Sequence, residues 1–419
     1  MPSPLRSDAG PRGSQRPALA LLTRRWTGSD EATWYLRQIA GALAHVCDVH
    51  VVTLQGSEPR TRVDSVFTVH ELAAAPDTRA EARRDVLLQA LGTSWPARGA
   101  GGAEGAAIGH LLDEGVRAPW TTGIETLRRL QPSHVVLADY RQLGAMDAIA
   151  DGAPQASVAL VPLVSELDEP LHPHYHAMFE RADVTLVATE AERRAVAVAD
   201  PARTVVTGFP VAANQTVWSE PFAMLVHEPF AILKESGHVT ILTGAPRDGT
   251  GRRASLARLL RLRLPDRPVA IVSTDSFDIW HRGECTHTKQ IERRGDLDRL
   301  MAWSTLVVDL QPGPFLARNC VTSLLYGTPV LVPSRSRARE HVEDGGGLWF
   351  DDSLELLSCA EALLADEVGS SFGEAGGRSM ARRVPSTEAF VDAVLEAAGL
   401  AGPGDVAGAT SLSGGGQAR

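Results

Sequence analysis

The chain has 419 residues, a length that predicts two domains, each large enough to bury its own core. Hydrophobic residues make up 44% of it, which is typical of a soluble globular protein, and its formal net charge of −10 argues against general nucleic-acid binding. No apolar run approaches the roughly 20 residues that span a bilayer, and the polar N-terminus lacks the apolar segment of a secretory signal. We therefore expect a cytoplasmic protein without a transmembrane segment, and peripheral contact with a membrane stays open.

The first predicted elements are a strand over residues 18–22, a helix over 31–44 and a second strand over 49–54. This order is typical of a Rossmann-like domain, although the G-x-G-x-x-G pattern of a dinucleotide site is absent. Gly28 and Ser29 lie in the loop between the first strand and the helix. Gly28 could let the backbone approach a phosphate or a sugar. Alternatively, Gly28 only turns the chain and Ser29 or Asp30 caps the helix, and the two roles are compatible.

Further strands are predicted over residues 135–138, 158–164 and 184–188. Asp139 and Arg141 follow the first of these strands directly. Because the carboxyl ends of parallel strands face a cleft in this kind of sheet, both side chains are candidates for ligand contact. The alternative is that Arg141 only pairs with Asp139 or with another nearby acid.

Neither the histidines nor the cysteines show the spacing of a known metal site. Three histidines alternate after the strand at 158–164, but no acidic or cysteine partner has a recognised ligand spacing (His172, His174 and His176). We therefore predict no metal and interpret these side chains as solvated or cleft-lining. The four cysteines lack C-x-x-C spacing and are predicted to be reduced and in or near the core (Cys47, Cys285, Cys320 and Cys359).

The second half of the chain begins with a predicted strand over residues 239–242 and an arginine-rich loop. Arg247 and Arg252 could bind a phosphate through their planar guanidinium groups, or the loop could simply be solvated. A later aromatic loop contains Phe277 and Trp280, which could stack on a nucleobase or pack on the rim of a cleft.

The clearest stretch predicts a strand over 305–310, a loop over 311–314 and a helix over 316–326. Gly327 ends the helix, and the next strand covers 330–332. A strand, a helix and a strand joined by tight turns form a parallel crossover unit. Ligands of such sheets lie beyond the carboxyl ends of strands, where helix N-termini offer N–H groups to phosphate. The loop between the first strand and the helix is placed for that role.

Two motifs here resemble the donor-sugar half of GT-B glycosyltransferases, in particular the retaining glycosyltransferase family 4. The turn at 327–330 reads Gly-Thr-Pro-Val, as in the family. Residues 340–345 read Glu-His-Val-Glu-Asp-Gly, followed by two more glycines, where the family carries E-x-V-x-D-G-x-x-G. Weaker matches extend the resemblance over about residues 18–400. It implies an α/β GT-B fold, with two Rossmann-like domains facing a central cleft.

Composition and the resemblance together imply a domain organisation. It consists of a disordered leader at 1–16, an acceptor-side domain at 17–212, a connector at 213–237, a nucleotide-sugar domain at 238–385, a helix at 386–400 that returns to the first domain, and a disordered tail at 402–419.

The donor-site motif diverges from the family pattern. Pro314 and Thr322 stand where the family has two glutamates, and Ala245 and Gly251 stand where it has a basic pair. The resemblance still implies donor or phosphate contacts for a set of eight residues (Gly28, Ser29, Arg247, Arg252, Gly313, Asn319, Thr322 and Ser323). It implies acceptor-side roles for Asp139 and Arg141. Ser165 or Glu166 stands nearest the place of a family histidine that contacts the donor, and His172 follows later in the chain. Glu166 and His172 are the candidates for a catalytic role.

The function that the resemblance implies is transfer of a sugar from a nucleoside-diphosphate sugar to an unknown acceptor, with no cofactor and no metal. One alternative is a catalytically impaired binding or partner protein, because the motif glutamates are missing. Another is a sugar-nucleotide epimerase of the same fold, which would need a set of carboxylates in the cleft.

Overall fold

The computed structural model shows two α/β lobes, each built on a mainly parallel β-sheet. It describes residues 16–24, 26, 31–56, 58–64, 66–73, 120–140, 142–164, 176–197, 199, 203–211, 233, 237–243, 251–273, 276–282, 284–290, 294–311 and 316–400. The predicted leader, connector and tail lie outside these residues, except for residues 16, 233 and 237.

The elements of the first lobe are, in chain order, β1 (Ala18–Thr23), α1 (Glu31–Leu43), β2 (Asp48–Gly56), β3 (Arg60–Asp64), β4 (Phe67–Ala73), α2 (Thr121–Leu130), β5 (His134–Ala138), α3 (Leu143–Gly152), β6 (Ser157–Val161), α4 (His176–Arg181), β7 (Val184–Val187), α5 (Glu190–Val196) and β8 (Thr204–Val206). The strand order in the sheet is β3-β4-β2-β1-β5-β6-β7-β8. The paired strands are parallel except β3, which runs antiparallel to β4.

The elements of the second lobe are β9 (His238–Thr243), α6 (Gly251–Arg263), β10 (Val269–Val272), β11 (Ser276–His281), β12 (Glu284–Gln290), α7 (Arg294–Trp303), β13 (Ser304–Leu310), α8 (Arg318–Leu325), β14 (Val330–Pro333), α9 (Arg339–Val342), β15 (Gly347–Phe350), α10 (Ser353–Leu363) and α11 (Asp366–Arg383). The strand order is β12-β11-β10-β9-β13-β14-β15. A final helix, α12 (Thr387–Ala397), packs on the first lobe, where the rings of Tyr35 and Phe390 lie 6.4 Å apart.

The central strands form because they are continuous apolar runs that can be buried on both faces. In β1, for example, Leu19, Leu21 and Leu22 are all fully buried. The order of connection reverses between β1 and β5 in the first sheet and between β9 and β13 in the second. Such reversals leave a crevice at the carboxyl ends of the strands, which is where open α/β sheets bind ligands. The fold therefore sets one such position in each lobe.

The structure corrects three expectations. The aromatic loop is instead the antiparallel hairpin β11–β12 at the edge of the second sheet, and the Trp280 ring lies 3.9 Å from the guanidinium carbon of Arg261 on α6. The strand expected to reach residue 164 ends at Val161, since Leu163 adopts a left-handed φ of 54°. Cys285 is exposed on β12 rather than in or near the core, whereas Cys47 and Cys320 are buried as expected.

Helix α11 packs very closely against the loops that follow α8 and α9. A Cβ atom built on Gly373 would lie 1.9 Å from the carbonyl oxygen of Gly327, and one built on Gly376 would lie 2.7 Å from the Cα of Gly346. Only glycine permits this approach at these positions. The packing fixes the turn after α8 and leads the chain from α11 back to the first lobe.

Two features are absent from the described residues, a membrane-spanning helix and a metal cluster. No helix there combines the length and the apolar character needed to cross a bilayer. The same residues contain no group of three or more histidine, cysteine, aspartate or glutamate side chains placed to hold a metal ion.

Candidate functional site

The segments that follow the parallel strands of the two lobes meet in a crevice. Glu31, at the start of α1 in the first lobe, reaches the start of α8 in the second. Glu340, on α9 in the second lobe, reaches the start of α5 in the first. The two contacts run in opposite directions across the crevice, so each lobe supplies one carboxylate to a helix N-terminus of the other.

The first contact uses both oxygens of the Glu31 carboxylate. Oε2 accepts a hydrogen bond from the backbone N–H of Leu316 at 3.0 Å, and Oε1 accepts one from the N–H of Arg318 at 2.8 Å. One turn further along α1, the Trp34 ring lies 4.0 Å from the guanidinium carbon of Arg318, a cation–π contact. These two residues of α1 therefore hold the first turn of α8.

The backbone between these two N–H groups has an unusual conformation. Ala317 adopts the left-handed region, with φ 52° and ψ 37°. Successive N–H groups around such a residue converge on one side of the chain and form a concave anion site, which the positive end of a helix reinforces. A left-handed conformation costs a residue with a Cβ about 1 kcal/mol. The start of α8 is thus a backbone site for an anion.

Left-handed residues cluster around the crevice. Of the five non-glycine residues with positive φ in the described part of the chain, Asp139, Leu163 and Ala317 follow β5, β6 and β13 at their carboxyl ends. Asp139 has φ 76°, and its N–H donates to the carbonyl of Val161 at 2.9 Å. Strained backbone of this kind is concentrated at functional sites, so its position supports a functional role for the crevice.

The second contact joins α9 to α5. Glu340 Oε2 accepts a hydrogen bond from the N–H of Ala191 at 2.7 Å and lies 3.4 Å from a guanidinium nitrogen of Arg194. Burial raises the pKa of the Glu340 carboxyl, while the Ala191 N–H and the Thr189 hydroxyl act in the opposite direction. This carboxylate is therefore held by donors from the first lobe.

A buried carboxylate, that of Glu192, lies close enough to Glu340 to interact with its charge. Glu192 is fully buried and accepts hydrogen bonds from the N–H groups of Val164 at 3.0 Å and Ala188 at 2.8 Å. It thereby ties together the chain after β6 and the end of β7. Burial raises the pKa of its carboxyl to about 7, against these hydrogen bonds and the charge of Arg337, which lower it.

A cavity of about 130 Å³ opens between the lobes beside these carboxylates (lined by Ala188, Thr189, Glu190, Val206, Gly208 and Phe209 of the first lobe, and by Val321, Glu340, His341, Met380, Arg383, Val384 and Pro385). Burial and the charge of Arg383 lower the pKa of His341 to about 4, against a hydrogen bond to the Leu316 backbone, so its imidazole is neutral at pH 7. Its Nε2 atom has no hydrogen-bond partner among the described residues. The cavity thus combines apolar walls, a cation and a neutral polar ring.

The arrangement of the two lobes is similar to that of several solved structures at low sequence identity. Alpha,alpha-trehalose 6-phosphate synthase from Burkholderia multivorans superposes with a TM-score of 0.64 at 12% identity, over 95% of this chain and 100% of that one. HepE from Anabaena, solved with UDP and glucose, gives 0.55 at 14% identity, over 91% and 98%. A putative UDP-N-acetylglucosamine 2-epimerase from Listeria monocytogenes gives 0.57 at 14% identity, over 91% and 97%.

The chain has the GT-B fold. Two mainly parallel sheets that meet at their carboxyl ends, together with these superpositions, decide it. No protein-family model matches the sequence, and no curated protein matches it. The expectation of a GT-B architecture is therefore confirmed by structure, whereas the assignment to family 4 stays a prediction.

Three of the expected donor-site residues of this GT-B chain lie on α8. Thr322 and Ser323 are buried, and their hydroxyls donate to the carbonyls of Arg318 and Asn319, each at 2.8 Å. Asn319 donates from Nδ2 to Gln311 Oε1 at 3.0 Å, while its buried Oδ1 has no partner among the described residues. Of the three side chains, Asn319 is the one with a buried oxygen left to accept a hydrogen bond.

The remaining expected site residues are only partly located. Asp139 directly follows β5 in the first lobe. Arg252 lies in the first turn of α6, after β9, but the position of its side chain is not among the described features. The other expected site residues all lie outside the described residues (Gly28, Ser29, Arg141, Glu166, His172, Arg247 and Gly313). The roles of all these residues stay predictions.

The site residues predicted from the sequence do not include Glu31, Glu192 or His341, which the structure places at the crevice. A sequence pattern does point to Glu192, because Thr189 and Glu192 have the spacing of a capping box, which indicates the start of a helix after a strand. Thr189 does cap α5, accepting from the Glu192 N–H at 3.1 Å. For Glu31 and His341, no local pattern indicates the contacts that they make across the crevice.

Proposed function

We propose that the chain is a glycosyltransferase of the family 4 type, with a divergent donor site, that transfers a sugar from a nucleoside-diphosphate sugar to an acceptor. The observation that carries this proposal is the backbone anion site at Leu316 and Arg318, because it follows β13 at the strand reversal of the second sheet. A diphosphate is the anion that such a position suits in this fold. HepE, which shares the fold, was solved with UDP and glucose.

The donor's diphosphate is proposed to bind between the start of α8 and the arginine-containing segment after β9, since β9 and β13 are neighbours in the sheet. Arg247 and Arg252 would supply the positive charge that the family's basic pair supplies elsewhere. The Oδ1 atom of Asn319 would accept a hydrogen bond from a donor hydroxyl. These groups would stabilise the charge that develops on the departing diphosphate, which is an electrostatic form of catalysis.

The acceptor is proposed to bind on the first lobe, near the ends of β1 and β5. Gly28 and Ser29 follow β1 and would approach the donor phosphate or sugar. Asp139 and Arg141 follow β5 and would orient the acceptor. Glu166 and His172 follow β6 and are the candidates for direct contact with the reacting sugar. The proposed reaction uses no cofactor and no metal.

Release of nucleoside diphosphate from a panel of nucleotide sugars tests this function. Purified protein would be incubated with UDP-, GDP-, dTDP- and ADP-sugars, with and without a mixture of sugar and sugar-phosphate acceptors. We expect one donor to release its nucleoside diphosphate, faster when an acceptor is present. Folded protein that releases none from any donor would exclude a transferase that uses these donors.

A sugar-nucleotide epimerase is the second candidate, because the crevice does contain buried carboxylates. Burial raises the pKa of both Glu192 and Glu340, and it raises that of Glu192 to about 7, a value that suits a general acid or base at neutral pH. The fold is also that of the putative 2-epimerase from Listeria monocytogenes. Interconversion of a nucleotide sugar without any acceptor, followed by NMR, would support this candidate over the transferase.

A further inference from the structure

The backbone anion site at the start of α8 already holds an anion, which is the carboxylate of Glu31. Each of its two oxygens accepts one backbone N–H, from Leu316 at 3.0 Å and from Arg318 at 2.8 Å. A backbone N–H carries a single hydrogen, so a phosphate cannot bond to these groups while the carboxylate does. The carboxylate would also repel a phosphate brought close to it.

The contact is built into both lobes rather than made by one loose side chain. Glu31 and Trp34 are three residues apart on α1 and therefore share one face of the helix. Trp34 stacks against Arg318 at 4.0 Å and meets the ring of Phe209 edge-on at 6.3 Å. The Trp34–Arg318 contact thus positions the same turn of α8 that Glu31 caps.

We propose that Glu31 is an internal competitor for the diphosphate, so that the crevice with Glu31 seated on α8 is an autoinhibited state. The identity of the displaced ligand rests on the proposed function. Donor binding then requires Glu31 to leave the two N–H groups, and the free energy of that step reduces the apparent affinity for the donor. Displacement would also release one of the two carboxylate contacts that the described residues make between the lobes.

The Glu340 contact provides a way to distinguish competition by Glu31 from a general loosening of the two lobes. Glu340 accepts a hydrogen bond from the Ala191 N–H at 2.7 Å, and this bond joins it to α5 rather than to α8. Glu340→Gln would weaken the link between the lobes and leave Glu31 in place. If Glu31 competes directly with the ligand, only Glu31→Gln should gain affinity. If the carboxylates only hold the lobes together, both glutamine variants should gain it.

Calorimetric titrations with UDP and with inorganic pyrophosphate test the proposal. They would compare the wild type, Glu31→Gln, Glu340→Gln and the control Glu374→Gln, which removes an exposed carboxylate paired with Arg378 on α11. We expect Glu31→Gln to bind UDP about tenfold more tightly than the wild type, because the competing anion is gone. Glu340→Gln and Glu374→Gln should show no such gain. Circular dichroism would establish that each variant is folded.

A shortened carboxylate gives a second test if Glu31→Gln does not fold. Glu31→Asp keeps the charge but lacks the methylene needed to reach both N–H groups, so a smaller gain in affinity for UDP is expected. Equal affinities in the wild type and the Glu31 variants would overturn the autoinhibition and leave the proposed function standing. An equal gain in Glu340→Gln would overturn it as well, because the effect would then come from loosened lobes. Absence of binding in every protein, with every nucleotide of the donor panel, would overturn the proposed function together with this inference.

Discussion

At the scale of single residues, Glu192 gives the crevice a dependence on pH. Burial raises the pKa of its carboxyl from the ordinary 4.5 to about 7 in the folded chain. Between these two values the folded state holds a proton that the unfolded state has lost, so the free energy of unfolding falls as pH rises across this window. Above about pH 7 the full cost of burying the charge is present.

We predict that this dependence is lost in Glu192→Gln. The difference in unfolding free energy, wild type minus variant, should fall by about 3 kcal/mol between pH 4.5 and pH 7.5. Urea unfolding at several pH values measures it, and the neutral His341 and His238, whose pKa values are lowered, cancel because both proteins contain them. A difference that stays constant with pH would mean that Glu192 is ionised throughout.

Asn319 offers a test of the donor site at the same scale. Its Oδ1 is buried without a partner among the described residues, so a ligand hydroxyl could satisfy it. Asn319→Ala is expected to raise the KM for the nucleotide sugar about fivefold, the loss of one neutral hydrogen bond, with little change in kcat. Ser323→Ala should change KM less, because the Ser323 hydroxyl already donates to the Asn319 carbonyl. Equal KM values for Asn319→Ala and the wild type would remove Asn319 from the donor site.

Local patterns reveal some residues of the crevice and hide others. Asp139 could be found because it directly follows a legible apolar strand, and Glu192 could have been found from its spacing to Thr189. Glu31 could not, since its partners are backbone N–H groups of Leu316 and Arg318, and any residue except proline carries one. The sequence holds no sign of which N–H groups a carboxylate will reach.

At the scale of elements, the close approach of α11 to the turn after α8 predicts a sharp difference between two glycine positions. A Cβ on Gly373 would lie 1.9 Å from the Gly327 carbonyl oxygen. Gly373→Ala should therefore lower the unfolding free energy by about 2 kcal/mol, because backbone must move to relieve the overlap. Urea unfolding measures the change.

Gly41 on α1 is the matched control. A Cβ built there meets no atom within 4 Å. Gly41→Ala should raise the unfolding free energy, by up to about 1 kcal/mol, since alanine is the better helix former. If Gly373→Ala and Gly41→Ala change the unfolding free energy by the same amount, the packing of α11 on the turn is looser than the structure shows.

Most parallel strands could be predicted because each is a short apolar run between turns, and the helices between them followed from their spacing. The exceptions have physical causes. Helix α11 contains four glycines, which disfavour a helix on their own but permit its close contacts with the end of α10 and with the turns at Gly327 and Gly346 (Gly369, Gly373, Gly376 and Gly377). The hairpin β11–β12 mixes polar and aromatic residues and gains its structure from pairing with β10.

At the scale of the whole molecule, the GT-B architecture could be predicted from two motifs in the second lobe, but the crevice between the lobes could not. Glu31 and Leu316 are 285 residues apart, and their contact exists only once both sheets are folded and docked. The buried apolar cluster that includes Leu36, Ile39 and Leu324 also joins the two lobes. Such joint features follow from the relative placement of two domains, which no local pattern specifies.

Calorimetric titration of the purified chain with UDP, GDP, dTDP and ADP tests most directly whether this crevice binds a nucleoside diphosphate. We predict saturable binding of at least one of them, one molecule per chain, with a dissociation constant below about 1 mM for the wild type. A folded protein, and a folded Glu31→Gln variant, that give no binding heat with any of the four would contradict it.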